Sequence, residues 1–225
     1  MNQIDVDELY AQYLNTPVNY GQGDRLPMRK PKTFCSVQPS ARTTFVDLPR
    51  TDRRIFLASD HHFGHKNIIR YEDRPFVDVN EMDEALITNH NNIVQPDDIC
   101  IFGGDIAFTS ITRANELLAR CNGYKILVVG NHDFHKGKLK QYDVDEIHKW
   151  LDLTDIGDSN IPKIFTHYPL TNLPNNVHNI HGHIHGSPSP TERHTNVCVE
   201  VMQYTPILLV DLIATIDQHY INTHN

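Results

Sequence analysis

The chain has 225 residues, of which 39% are hydrophobic and 21% charged, a composition typical of a folded protein rather than of a disordered chain. Its net charge of −8 argues against a protein that coats nucleic acid, although it is compatible with a local basic track. No apolar run approaches the roughly 18 residues of a membrane span, the N-terminus has no signal-peptide pattern, and the four cysteines lie far apart, so we expect a cytoplasmic protein with neither a membrane contact nor a disulfide framework.

The first 50 residues are predicted to form an arm, followed by one α/β domain over residues 51–225. Apolar residues at helical spacing between Val6 and Leu14 predict a short amphipathic helix, and the prolines that follow disfavour regular structure. Between Arg25 and Arg54, eight basic residues stand against two acidic ones. We interpret this stretch as a solvated arm on the main domain; the alternatives are a contact with nucleic acid or with a second subunit of a homo-oligomer.

From Arg53 onward, short apolar runs alternate with helical patterns, and this alternation predicts a layered α/β fold. Strands are predicted at residues 55–58, 99–102, 126–129 and 164–165. Two helices are predicted to begin after the N-capping residues Asn80 and Ser110.

Two further elements are predicted near the C-terminus. The alternation of Val197, Val199 and Val201 predicts a half-buried strand. Pro206 is placed in the first turn of a final helix. The apolar face of this helix is predicted to comprise Leu209, Leu212, Ile213 and Ile216.

Residues of metal-binding types follow four of the predicted strands, at the point where each strand ends. These segments are Asp60-His61-His62, Gly103-Gly104-Asp105, Gly130-Asn131-His132-Asp133 and His167. Ligand sites in open α/β folds lie at the carboxyl ends of strands, so we expect these segments to converge. A fifth segment, residues 181–185, places His183 and His185 on one face of an extended chain.

The candidate ligands are carboxylates, imidazoles and one amide, without a thiolate. This set favours Mn²⁺, with Fe, Zn²⁺ or Ni²⁺ as alternatives, over a cysteine-rich structural zinc. One ion needs three or four protein ligands, and seven candidates suffice for two ions that share a carboxylate. Because two divalent ions about 3.5–4 Å apart polarise phosphoryl oxygens and activate water, the sequence predicts hydrolysis of a phosphate ester.

In chain order, five motifs resemble those of the calcineurin-like metallophosphoesterase superfamily: Asp60-x-His62, Gly104-Asp105, Gly130-Asn131-His132-Asp133, His167 and Gly182-His183-x-His185. The resemblance covers roughly residues 55–209. The stretch 60–65, the phrase Arg74-Pro75-Phe76 and the short length are similar to the small bacterial and bacteriophage branch. The resemblance implies a four-layer β-sandwich of two mixed sheets flanked by helices.

The same resemblance implies a metal-binding role for seven residues. One ion would be held by Asp60, His62 and His185. The second ion would be held by Asn131, His167 and His183. Asp105 would bridge the two ions, and a hydroxide between them would attack phosphorus in line.

Other residues near these motifs are candidates for substrate contacts. The resemblance implies that His132 stabilises the phosphate or protonates the leaving oxygen. The family often has a second aspartate three residues after the bridging one; here that position is Phe108, so His132 lacks this carboxylate partner. His65 is a second candidate acid, with a packing or substrate-lining role as the alternative. Arg70 and Arg74 are candidates to bind a phosphate through a bidentate fork, with an ion-paired surface as the alternative.

The sequence therefore predicts a metal-dependent enzyme that hydrolyses phosphate esters. Because the loops between the motifs are short, we expect an open site and favour a phosphodiesterase or a nucleotide phosphohydrolase. The alternatives are a phosphomonoesterase or protein phosphatase, a catalytically silent binding module with the same fold, and a nucleic-acid processing subunit guided by the basic arm.

Overall fold

The computed structural model of the chain describes residues 53–154, 156 and 161–224. The predicted arm, its helix and its basic stretch up to Asp52 lie outside these residues, as does Cys35, and the boundary at residue 50 stays a prediction. The described strands are β1 (Ile55–Ala58), β2 (Ile99–Phe102), β3 (Tyr124–Val128), β4 (Phe134–His135), β5 (Lys138–Leu139), β6 (Glu146–His148), β7 (Trp150–Asp152), β8 (Lys163–Thr166), β9 (His178–His181), β10 (His194–Asn196) and β11 (Ile207–Leu208). The described α-helices are α1 (Ile68–Tyr71), α2 (Val79–Ile93), α3 (Ile111–Leu118) and α4 (Leu209–His224).

The strands form two mixed sheets and a small hairpin. In the five-stranded sheet, of order β11-β1-β2-β3-β6, only the pairing of β11 with β1 is antiparallel among the described strands. In the four-stranded sheet, of order β10-β9-β8-β7, β7 runs antiparallel to β8 and the other neighbours are parallel. The predicted fold, two mixed sheets flanked by helices, is confirmed. Strands β1 and β2 have the predicted bounds, whereas β3 and β8 are longer than predicted.

Strand β2 shows how the layers pack. All four of its residues are buried, and successive side chains point to opposite faces of the sheet. Cys100 and Phe102 lie in the apolar cluster that includes the buried sides of α2 and α3. Ile99 and Ile101 lie in a second cluster, together with side chains from the four-stranded sheet and from α4: Leu151, Phe165, Ile180, Leu209, Leu212, Ile213 and Ile216. The predicted apolar face of the last helix is thus confirmed.

The two predicted N-caps have different outcomes. Ser110 caps α3, and its hydroxyl accepts a hydrogen bond from the backbone N–H of Arg113 at 3.2 Å. Asn80 does not cap α2. The cap is Asp78, whose carboxylate accepts from the N–H groups of Asn80 and Glu81 at 2.8 and 3.0 Å, because a carboxylate also complements the positive end of the helix dipole.

Of the two elements predicted near the C-terminus, the strand is not formed as predicted and the final helix begins later than predicted. Val197 and Val199 are buried but belong to no strand; the strand is β10, and Cys198 between them is also buried. Pro206 does not begin the last helix. Residues Ile207–Leu208 instead pair with β1 at the edge of the five-stranded sheet, which satisfies backbone groups of β1 that would otherwise lack a partner on that side.

Two negative expectations concern the whole chain. Cys100, Cys121 and Cys198 are free and buried, so no disulfide forms among the described cysteines. None of the helices in the described ranges is long and apolar enough to cross a membrane.

Candidate metal centre

All seven predicted metal ligands lie just beyond the carboxyl ends of five strands. In the five-stranded sheet the ligand segments follow β1, β2 and β3, and in the four-stranded sheet they follow β8 and β9. The loops after β1 and β2 are joined by backbone hydrogen bonds, from Asp60 N–H to the Gly104 carbonyl at 3.1 Å and from His62 N–H to the Asp105 carbonyl at 3.0 Å. The backbone N–H of His183, in the loop after β9, donates to the Asp60 carboxylate at 2.8 Å, so loops from both sheets meet at one edge of the sandwich.

The ligand atoms form two adjacent groups. Within each group, the candidate ligand atoms lie within 4.8 Å of one another; the groups are Asp60, His62 and His185, and Asp105, His167 and His183. Asp105 Oδ2 is 3.6 Å from Nε2 of His62 in the first group and 3.6 Å from Nε2 of His167 in the second. Asn131 Oδ1 lies 3.2 Å from His167 Nε2, beside the second group. This is the arrangement of two cation sites that share one carboxylate.

The polar atoms of the first group fit a cation. Asp60 Oδ1 and His62 Nε2 are buried and have no hydrogen-bond partner among the described residues. Unpartnered buried polar atoms are costly, and a metal ion would remove that cost. The thiol of Cys198 donates to Asp60 Oδ2 at 3.2 Å, and burial raises the pKa of this thiol well above its usual value, so it stays protonated. The donor set is therefore oxygen and imidazole nitrogen, as the sequence predicts.

Most of these ligands also share an unusual backbone conformation. Positive φ angles occur at Asp60 (62°), His62 (52°), Asp105 (52°), His183 (71°) and His185 (49°). For non-glycine residues this left-handed conformation costs roughly 1–2 kcal/mol each. Such strain is concentrated at functional sites, where the surrounding structure must hold side chains in one orientation.

Hydrogen bonds fix the orientation of the ligand side chains. His167 Nδ1 lies 2.8 Å from the Gly103 carbonyl, which leaves Nε2 facing Asp105. His185 Nδ1 lies 2.9 Å from the carboxylate of Glu200. The Asp60 carboxylate accepts from the Ser59 hydroxyl at 2.5 Å and from the backbone N–H of His183 at 2.8 Å, so it also connects the two sheets. Metal-binding histidines in proteins are commonly held in this way.

Burial controls the protonation of the ligands. Burial, reinforced by His167, lowers the pKa of His183 to about 3, so this imidazole is neutral and has a lone pair for a metal. Burial raises the pKa of Asp105, and a bound cation would reverse that shift by favouring the carboxylate. Burial alone would lower the pKa of His185, but the hydrogen bond to Glu200 and the charge of Asp60 raise it to about 9. Metal binding at His185 would therefore release a proton.

The structure contradicts the predicted phosphate contact of Arg74. Its guanidinium is 0% exposed and donates to the carbonyls of Asp60 and His61, both at 2.8 Å, and to Glu200 at 2.6 and 3.0 Å. Because the guanidinium is buried and hydrogen-bonded to these groups, Arg74 supports the loop that carries the first ligands. Arg70 is exposed on α1, and its predicted phosphate contact stays a prediction.

The two candidate acids lie beside the ligands, towards the open side of the centre. His132 is partly exposed, its Nε2 is 4.0 Å from Asp105 Oδ2, and its backbone N–H donates to Asp105 Oδ1 at 2.7 Å. The exposed ring of Phe108 lies edge-on to His132, with centroids 5.5 Å apart. His65 Nδ1 lies 3.2 Å from His62 Nδ1, and its ring stacks on Phe108. His65 therefore contacts the candidate ligand His62 directly, and both its predicted role as an acid and the alternative packing or substrate-lining role stay predictions.

Sequence reasoning missed several residues that support the centre. Asp133 accepts from the backbone N–H groups of Asp105, Ile106 and Gly130 at 2.7–3.0 Å, which ties the loop after β3 to the loop after β2. Its place in the Gly130–Asp133 motif was an available signal. Glu200, which holds His185 and Arg74, follows the last motif by 15 residues and has no sequence signature.

Comparison with known proteins agrees with this geometry. The family described as calcineurin-like phosphoesterase matches residues 53–217. An uncharacterised protein of Methanocaldococcus jannaschii is similar, with 36% identity over 171 residues that cover 72% of this chain and 90% of that protein. The crystal structure of a protein of unknown function from Aquifex aeolicus has a TM-score of 0.57 and 25% identity, covering 73% of this chain and 100% of that one. Placement in the bacterial and bacteriophage branch stays a prediction, but the chain belongs to the calcineurin-like phosphoesterase family.

Proposed function

We propose that this protein hydrolyses phosphate esters with a pair of divalent metal ions and that its preferred substrates are phosphodiesters or nucleotides. Family membership and the two candidate metal groups support metal-dependent phosphoester hydrolysis. The observation that carries the proposal is the position of Asp105 Oδ2, 3.6 Å from a ligand nitrogen of each group. A shared carboxylate holds two ions at the short separation that phosphoryl transfer to water requires.

The proposed ligands are assigned to two metal ions according to the two groups in which their side chains lie. One ion is assigned to Asp60, His62 and His185. The other is assigned to Asn131, His167 and His183, with Asp105 shared. Two such ions, when bound, would polarise the phosphoryl oxygens and activate water for attack near neutral pH. Mn²⁺ is the proposed metal because the donors are hard to borderline, and Fe, Zn²⁺ and Ni²⁺ are the alternatives to test.

His132 is proposed to contact the phosphate. Its Nε2 lies 4.0 Å from Asp105 Oδ2, which is too far for a hydrogen bond, and the ring of Phe108 stands beside it, so no carboxylate of the described residues forms a hydrogen bond with the His132 ring. Burial lowers its pKa to about 4. We therefore assign His132 to stabilising a phosphate oxygen through a neutral ring N–H, and His65 is the second candidate for proton donation.

The exposure of the centre supports diester substrates. Asn131 is exposed and His132 partly exposed, so the ligand groups open directly to solvent on this side. A diester carries a second organic group on phosphorus, and an open rim has room for it. This preference for diesters concerns only the substrate, and the assignment of the metal ligands does not depend on it.

The test uses the full chain with nitrophenyl monoester and diester phosphates and each of the four metals. Loss of the hydrogen-bond partner of a metal ligand typically lowers activity up to roughly 100-fold. Asp105→Asn changes a ligand itself, so it is expected to lower kcat/KM by more than this. The matched control is Asp97→Asn, which changes an exposed aspartate next to the opposite end of β2 and is expected to retain full activity. Absence of turnover with every metal, or an unchanged rate in Asp105→Asn, would refute the proposal. Metal binding without any turnover would favour the silent binding module.

A further inference from the structure

Three aromatic rings form an exposed ledge beside the metal centre. Phe108 is 51% exposed and Tyr71 is 60% exposed. The ring of His65 lies between them, stacked on Phe108 with centroids 4.4 Å apart and an interplanar angle of 29°, and edge-on to Tyr71 at 6.2 Å. Single exposed apolar side chains are common on protein surfaces, but a contiguous aromatic group next to a reactive site indicates recognition.

Hydrogen bonds hold the ledge to the loop of the first ligand group. The backbone N–H of Phe108 donates to the Phe63 carbonyl at 2.9 Å, and the N–H of His65 donates to the His62 carbonyl at 3.0 Å. The imidazole of His65 also contacts that of His62, with Nδ1 atoms 3.2 Å apart. The backbone of Phe108 and both the backbone and the ring of His65 are thus held against this loop, which reduces the entropy lost when a flat ligand stacks on the ledge.

The ledge lies next to the candidate metal centre, so that one substrate could contact both. Phe108 lies edge-on to His132 at 5.5 Å between centroids, and the backbone N–H of His132 donates to the carboxylate that the two metal groups share. Because His132 lies between Phe108 and this carboxylate, a group attached to a phosphate at the centre could reach Phe108. Aromatic side chains that bind nucleic-acid components use this type of stacking, because every base has a flat π-face.

We propose that the ledge formed by Phe108, His65 and Tyr71 binds the base of a nucleoside phosphate whose phosphate group lies at the metal centre. This inference rests on the proposed function and narrows its substrate class. Phe108 stands at the position where the family resemblance leads one to expect an aspartate, so here an aromatic ring lies beside His132 in place of a charged side chain.

The experiment compares substrates that differ only in the base. Adenosine 5′-monophosphate is paired with ribose 5-phosphate, and the methyl ester of each provides a diester pair. For each enzyme variant, the quantity measured is kcat/KM of the nucleotide divided by kcat/KM of its base-free partner, so any effect on the chemistry common to both cancels. Phe108→Ala is expected to lower this ratio about 5- to 150-fold, which corresponds to the range of base–aromatic stacking measured by alanine substitution. Phe108→Leu, which keeps apolar volume without a π-face, is expected to lower it as well.

The control is Ile147→Ala, which shortens an equally exposed apolar side chain on β6 and is expected to leave the ratio unchanged. Saturation-transfer NMR with adenosine 5′-monophosphate and the metal-free protein gives a readout independent of turnover. We expect the base protons to receive more saturation than the ribose protons, and this preference to vanish in Phe108→Ala. An unchanged ratio in Phe108→Ala, or equal saturation of base and ribose in the wild type, would overturn the inference. If none of the four esters is hydrolysed, the proposed function fails and the NMR result alone decides on the ledge.

Discussion

Glu200 connects the buried support of the centre to one of its ligands, and its removal is expected to weaken both stability and metal binding. Its side chain is 7% exposed, and Oε1 accepts from Arg74 Nη2 at 2.6 Å, from Arg74 Nε at 3.0 Å and from His185 Nδ1 at 2.9 Å. Arg74, with a side-chain exposure of 0%, also donates to the carbonyls of Asp60 and His61. A single carboxylate therefore holds a buried charge and a ligand imidazole.

The magnitude follows from the burial of this pair. In Glu200→Ala the guanidinium of Arg74 stays buried without a carboxylate, and breaking a buried pair in this way costs about 3–5 kcal/mol of unfolding free energy. In a domain of this size, each kcal/mol shifts Tm by about 2–4 °C, so we expect Tm to fall by about 6–20 °C. His185 also loses the partner that fixes its orientation, which is expected to weaken metal binding about 10- to 100-fold.

The assay combines thermal unfolding in EDTA with calorimetric titration of Mn²⁺. The matched control is Glu84→Ala, which breaks the pair of Glu84 with Arg120; this pair has equally short contacts of 2.5 and 2.7 Å but side-chain exposures of 56% and 43%. Solvent screens such a pair, so its Tm is expected to stay within about 2 °C of the wild type. If the Tm and the Mn²⁺ affinity of Glu200→Ala equal those of the wild type, the structural role assigned to Glu200 is wrong.

Two further predictions concern the metals and the backbone around them. Because the candidate ligands converge only in the folded chain, free metal at 100 times the Kd of one site is expected to stabilise the fold by about 2.7 kcal/mol, seen as a rise in Tm that EDTA reverses. No rise with Mn²⁺, Fe²⁺, Zn²⁺ or Ni²⁺ would contradict the metal assignment. Gly104→Ala places a Cβ 2.6 Å from Gly130 N and 2.7 Å from His167 Nδ1 at a φ of +94°, so it is expected to lower Mn²⁺ affinity in the same titration. Gly137→Ala has a similar φ of +76° but meets nothing within 4 Å, and an equal loss of affinity in that control would show that backbone strain, not displacement of His167, is responsible.

From the sequence alone, the candidate metal ligands and their approximate place in the fold could be predicted. Buried strands can be read from short apolar runs, and the bounds of β1 and β2 followed directly. The ligands could be predicted because each follows a strand immediately. Parallel strands align their carboxyl ends, so local order in the chain becomes proximity in space.

Only the tertiary structure decided what surrounds those ligands. Arg74 and Glu200 are 126 residues apart, and neither has a local pattern that identifies the other as its partner, so the arginine was assigned to substrate although it is buried. The region around Val199 and Pro206 was misassigned for a related reason: whether an apolar residue enters a strand there depends on the open edge of β1. The periodicity of a sequence indicates which side chains are buried. Strand pairing and the burial of charged side chains depend on residues that are distant in sequence and meet only in the folded protein.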